Sequence, residues 1–276
     1  MEADCAVGKG GKDHDMRKLI AALVVVFLLL SVPVSAAIKP GDRLHLGNTG
    51  RGSVGYFIEC CGETYMITAA HLAPGWKDDI EPTGEWFVGG QPIGTFDRWI
   101  PYSGANAKDV MAIRVYPGVE VTNEIDGIQP LVIRAPHEGM PLVKVGAASG
   151  THYGAAYTPP ESGERFNAST KGLPGDSGGA LHSTDIPAVV GITRSGAGSA
   201  LTFAVRADWA VKELGFKEAV VTGGLPLNNL AIGDIRIGLD YLRHNRAEAR
   251  DKINAALQDA SYVIITLPHK TVVVPK

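Results

Sequence analysis

Gly172-Leu173-Pro174-Gly175-Asp176-Ser177-Gly178-Gly179-Ala180-Leu181 places one serine inside a glycine-rich loop that runs into an apolar strand. Serine is a weak nucleophile at neutral pH and needs a base within hydrogen-bond reach, itself held by a third group. Flanking glycines let a loop turn tightly enough to expose the hydroxyl and aim backbone amides at a developing oxyanion. Two earlier segments supply the partners. Tyr65-Met66-Ile67-Thr68-Ala69-Ala70-His71 reads as a strand ending in small residues and a histidine. Asp109-Val110-Met111-Ala112-Ile113-Arg114-Val115 reads as an aspartate that opens a strand. His71, Asp109 and Ser177 thus stand in the order base, orienting acid, nucleophile. Asp97 is a rival for the acid, but the apolar strand behind Asp109 favours the latter.

Outward from these segments, residues 38–205 form short runs that alternate or are wholly apolar, among them Val54 to Cys60, Pro141 to Gly146, Ala188 to Thr193 and Leu201 to Val205. Gly, Pro, Asn or Asp breaks them every ~8–12 residues, the pattern of an antiparallel sandwich or barrel. The first clear helical segment is Arg206 to Leu214, stopped by Gly215. With 34 glycines in 276 residues the chain is rich in turns. A composition 45% hydrophobic and 20% charged, with net charge -3, is globular. It argues against disorder and against a generic nucleic-acid surface. Three cysteines in no CxxC spacing are too few for a disulfide scaffold and fit no structural zinc site, so neither metal nor cofactor is expected.

The two ends read differently. Leu19 to Leu30 is apolar, Arg17 and Lys18 precede it, and Val34-Ser35-Ala36 offers small residues for cleavage. That describes a secretory signal peptide within residues 1–37, with Met16-Arg17-Lys18 a more natural start than Met1. The alternative is an uncleaved anchor, but the run is shorter than the ~20 residues a spanning helix needs. A secreted chain with no membrane span is the expectation. Thr222-Gly223-Gly224-Leu225-Pro226 marks a boundary at about residue 223. Leu239 to Leu257 then repeats apolar positions at helical spacing, and Tyr262 to Leu267 with Thr271 to Val274 resembles a hairpin, so residues 223–276 read as a small α+β extension.

Thr-Ala-Ala-His, Asp-Val-Met-Ala and Gly-Asp-Ser-Gly-Gly in this order resemble the chymotrypsin-like serine proteases. The spacings, 38 residues from His71 to Asp109 and 68 from there to Ser177, are similar to the bacterial streptogrisin-type branch. Lys144 to Gly154 resembles the glycine-spaced strand that opens that family's second barrel. The resemblance covers about residues 40–222. It implies an all-β fold of two antiparallel six-stranded barrels with a C-terminal helix, the site lying between the barrels. It also implies a serine endopeptidase acting on polypeptides, with a catalytically silent binding protein of the same fold as the alternative. His71 would be the general base, Asp109 would orient it, Ser177 would attack, and the amides of Gly175 and Ser177 would form the oxyanion hole. Asp176 would be buried against Lys144, where the family carries an arginine. Lys171 would lie at the base or wall of the primary pocket, and the strand through Arg194, Ser195 and Gly196 would pair with the substrate backbone. A lysine there rejects basic side chains and favours acidic ones, unless it points to solvent and a small or apolar preference results. Leu72 stands where many relatives carry a bridged cysteine, with Cys60 or Cys61 expected near the other end of the lost bridge. A bond between adjacent cysteines is strained, so free thiols or an intermolecular bond are expected. His45, His152 and His182 read as structural.

Overall fold

The computed structural model describes residues 36–101, 104, 108–157, 163–198, 200–217, 219–223, 233–236, 262–267 and 270–275. The signal segment and the helix expected over 239–257 lie outside the described residues. Among the described residues no helix is long and apolar enough to cross a membrane.

The first half carries β1 (Arg43–Leu46), β2 (Thr49–Ser53), β3 (Tyr56–Cys60), β4 (Glu63–Thr68), β5 (Glu85–Val88), β6 (Gln91–Trp99) and β7 (Met111–Val115). They pair in the order β3-β4-β7-β6-β5-β1-β2, antiparallel throughout. The two ends of that ladder, β2 and β3, are separated in the chain by Val54 and Gly55 alone. One bent strand therefore serves both edges, and the sheet curls round by chain continuity into the six-stranded barrel expected. The bend needs glycine at its second residue, because a methyl on Gly55 would fall 1.9 Å from the Ile67 carbonyl oxygen.

The second half carries β8 (Val132–Ile133), β9 (Pro141–Gly146), β10 (Gly150–Tyr157), β11 (Arg165–Ala168), β12 (Ala180–Ser183), β13 (Ala188–Gly196) and β14 (Thr202–Arg206). Here β12-β9-β10-β11-β14-β13 closes by the pairing of β12 with β13, and β8 runs parallel along β13. Helix α1 (Ala207–Glu213) follows, and Gly215 ends it at φ +82°. The chain then returns to the first sheet as β15 (Val220–Val221), on the outer edge of β3. A separate sheet joins β16 (Gly233–Arg236), β17 (Tyr262–Leu267) and β18 (Lys270–Pro275), with the expected hairpin formed by the last two.

Alternation sorts each strand between two cores. Phe57 and Met66 face one another inside the first barrel with Leu44, Trp86, Ile93 and Met111. Tyr56, Ile58 and Ile67 point the other way, into a cluster shared with Val143, Val189, Ile192 and Val205 of the second sheet and with Ala207, Ala210 and Val211 of α1. That shared cluster docks the two halves and fixes the line along which a site between them lies.

His182 on β12 is the exception inside this core. It is fully buried, and among the described residues neither ring nitrogen has a hydrogen-bond partner. Burial alone lowers its pKa from the ordinary 6.5 to about 3. The unfolded chain therefore binds a proton that the folded one refuses, and stability falls as pH drops from 6.5 towards 3. By pH 4 the loss is about 3 kcal/mol. Urea titrations of the wild type and His182→Leu between pH 7 and pH 4 are expected to show this slope in the first and its near-absence in the second.

Candidate active site

The first barrel supplies two acid–base groups. After β4 the chain extends through Ala69 and turns over Ala70–Leu72, a single turn of 3-10 helix that lifts His71 to the surface. Asp109 lies two residues before the start of β7, which pairs with β4, so the two residues meet at one end of adjacent strands. The His71 backbone N–H donates to Asp109 Oδ1 at 2.8 Å, and Nδ1 lies 2.5 Å from Oδ2. Asp109 is 2% exposed and His71 35%. A buried carboxylate taking the Nδ1 proton leaves the Nε2 lone pair as the ring's free basic position. Asp97, the rival, is engaged elsewhere, by Arg98 at 2.5 Å and Arg114 at 2.7 Å.

The second barrel supplies the loop between β11 and β12. Asp176 N–H donates to the Leu173 carbonyl and Gly179 N–H to the Asp176 carbonyl, folding the loop on itself. Gly175 and Gly178 take φ of +101° and +87°. A methyl on Gly178 would fall 2.0 Å from Thr68 Oγ1, so both the conformation and the crowding demand glycine. Among the described residues the amides of Gly175 and Ser177 donate to no protein acceptor. The Ser177 hydroxyl donates to the Arg194 carbonyl at 3.3 Å and not to His71.

Ser53 holds this loop to the first barrel. Its N–H donates to the Ser177 carbonyl at 2.8 Å, and its hydroxyl donates to the Gly175 carbonyl and accepts from Ala147 N–H, both at 2.8 Å. Thr68 Oγ1 donates to the Ser53 carbonyl. On the far side Gly178 N–H donates to the Thr193 carbonyl, and Thr193 N–H to that of Gly179. The loop is thus strung between β2 and β13. Sequence reasoning missed Ser53, a lone serine at a strand end; its only trace is a small polar residue beside two glycines.

Beneath the loop, Lys144 Nζ and Asp176 Oδ2 stand 2.6 Å apart, both side chains fully buried. Nζ spends its other protons on Ser149 Oγ at 2.9 Å and the Lys171 carbonyl at 2.7 Å, which uses all three donors. Asp176 also accepts from the amides of Leu173, Ala148 and Ser149. Burial draws the Lys144 pKa below the ordinary lysine value against the pull of Asp176. Burial pushes Asp176 upward, but the hydrogen bonds from Lys144, Leu173 and Ser149 outweigh it and leave the carboxyl below its ordinary value.

The residues expected to touch substrate are distributed unevenly. Lys171 is half-buried, with its carbonyl on Lys144. Ser195 and Gly196 are exposed. Arg194 turns its side chain to the acid–base pair, Nε standing 3.8 Å from Asp109 Oδ2. Gly172 and Gly196 are in backbone contact, a methyl on the first meeting the Cα of the second at 2.6 Å, and Gly172 N–H donates to the Gly198 carbonyl. One expectation needs correction. Leu72 packs on Gly52, where any added Cβ would lie 2.4 Å from Leu72 Cδ1. The residue that faces Leu72 is therefore Gly52 and not Cys60 or Cys61. The two cysteines sit at the β3–β4 turn with no disulfide between them, their sulfurs 3.5 Å apart.

Removing one member of a buried ion pair leaves the other charge uncompensated, at a cost of about 3–5 kcal/mol. Lys144→Met is expected to lose that much by denaturant unfolding and to slow turnover at Ser177 by releasing the loop; unchanged stability would show that Asp176 relies on the amides alone.

No protein-family model and no curated protein matches the chain. Solved structures do. Thermobifida fusca protease A is 20% identical, with 67% of this chain and 98% of that one covered at a TM-score of 0.51. A Nocardiopsis protease is 19% identical over 67% and 99%, also at 0.51. An α-lytic protease homologue, N4, is 18% identical over 67% and 99%, again at 0.51. Identity at this level speaks for architecture. With the closed second barrel, the curled first sheet and the helix that follows them, it gives this chain the fold of the bacterial chymotrypsin-like serine proteases.

Proposed function

We propose that the chain is a secreted serine endopeptidase that works through His71, Asp109 and Ser177. The observation that carries this reading is the buried Asp109 clamping His71 at both its amide and Nδ1, beside a serine loop whose Gly175 and Ser177 amides have no acceptor among the described residues. Ser177 Oγ swings from the Arg194 carbonyl to His71 Nε2 and gives up its proton as it attacks the scissile carbonyl carbon. The new oxyanion takes hydrogen bonds from the amides of Gly175 and Ser177. Asp109 stabilises the imidazolium, which then protonates the departing amine; water repeats the sequence on the acyl-enzyme. Export rests on the basic flank, apolar run and small residues of the first 37 positions.

A second reading, a silent protease-fold binding protein, draws on the Ser177 hydroxyl resting on the Arg194 carbonyl. An organophosphonate serine probe separates the two. Covalent labelling of the wild type, lost in Ser177→Ala, is expected, with kcat on peptide falling on the order of 10⁶-fold. A Ser177→Ala protein keeping a tenth of wild-type turnover would sink the assignment. Lys171 and Arg194 also place two cations along the segments expected to hold the acyl half of the substrate. Cleavage after Lys or Arg is accordingly expected to be at least about tenfold poorer than after Ala in a peptide library.

A further inference from the structure

The β1–β2 hairpin carries a basic face that none of these steps uses. Leu44 and Leu46 point into the first barrel. Arg43 and His45, alternating with them, face outward, and Arg51 stands directly across from His45. Two residues beyond Arg51 on the same face is Ser53, whose hydroxyl sits on the Gly175 carbonyl. The face therefore leads straight to the candidate oxyanion loop.

A cleft of about 400 Å³ lies there, lined by Arg43, Arg51, Gly52, Ala147, Ala148, Pro174 and Gly175. A second, of about 510 Å³, continues from Arg43 and Arg51 to His45, Gly47 and Asn48. Both arginines are exposed, and among the described residues neither has a carboxylate partner. His45 is held by its own contacts, Nδ1 to the Gly47 carbonyl at 2.7 Å and the ring stacked on Phe87. In a chain of net charge -3, two arginines around one cleft concentrate a field of the opposite sign.

The position of the cleft fixes which half of a substrate it meets. Ser177 is flanked by Arg194 on one side and by Gly52 and Ser53 on the other. If the acyl half runs along Arg194 to Gly196, the departing half leaves over Gly52, past Leu72 and the histidine that protonates the amine. Its first side chains then enter the cleft between Gly175 and the two arginines.

We infer that Arg43 and Arg51 form an anion-accepting subsite for the leaving half of the substrate, taking a carboxylate one or two residues beyond the scissile bond. This rests on the endopeptidase reading. A guanidinium matches a carboxylate in charge and in planar geometry, and a cleft wall limits the screening that weakens exposed pairs.

The test uses peptides with one acyl half and varied leaving halves: Glu or Gln at each of the first two positions, each with a free or an amidated terminus. An ester of the same acyl half with an aryl leaving group has nothing to place in the cleft. In the wild type kcat/KM is expected to be at least about tenfold higher for a Glu or a free-terminus peptide than for its neutral counterpart, the position of the gain identifying side chain or chain end as the source. The ratio is expected to shrink with added salt and to approach one in Arg43→Gln/Arg51→Gln, whose hydrolysis of the ester reports that it is folded. Equal rates for all the leaving halves beside brisk ester hydrolysis would overturn the subsite and leave the endopeptidase standing. No ester turnover and no labelling of Ser177 would remove both.

Discussion

A lysine and an aspartate with no access to water sit under the nucleophile loop, and the rest of the site is arranged around keeping them content. Two charges taken out of solvent cost several kcal/mol each, and mutual attraction alone rarely offsets that. Here every remaining hydrogen-bonding position is filled. The three protons of Lys144 reach Asp176, Ser149 and the Lys171 carbonyl, and the two oxygens of Asp176 collect three amides besides. An arginine would spread its contacts across a rigid fork, whereas lysine offers a compact ammonium whose three donors point apart. That tripod joins the nucleophile loop, the turn between β9 and β10 and the segment leading to Gly172. Desolvation sets the demand, and the loop conformation that exposes Ser177 is the arrangement that meets it.

The other organising feature is the seam. His71 and Asp109 come from paired strands of the first barrel, and Ser177 with its neighbouring amides comes from the second. Ser53 and Thr193 grip the loop from opposite sides with backbone hydrogen bonds, whose distances leave little play. Arg194 contributes twice, its carbonyl holding the Ser177 hydroxyl and its side chain bordering Asp109.

The three motifs were legible because each is local: a few contiguous residues whose chemistry makes sense only in a particular turn. Strand alternation and turn spacing likewise pointed to an antiparallel sandwich or barrel, while the two barrels and the pairing of Lys144 with Asp176 followed from the family resemblance. What escaped depends on register and closure. Ser53 is an unremarkable serine until β2 is laid against the loop, and Arg43 and Arg51 become neighbours only through the pairing of β1 with β2. The partner of Leu72 was sought at Cys60 or Cys61, the nearest cysteines in sequence. The fold instead brings up Gly52, on a strand whose bend at Val54 and Gly55 no local pattern announces.

The bent strand from Thr49 to Cys60 has a consequence for how the candidate site is assembled during synthesis. Its first half grips the nucleophile loop and its second half joins the ladder that carries the histidine strand, so one continuous segment must be seated in both places. Contacts of such sequence separation form late, after the entropy of closing long loops has been met. Until then the serine lacks its base and the amides lack their orientation. On the proposed endopeptidase reading, such a polypeptide would be inert while it is itself unfolded and cleavable, its topology holding off self-digestion.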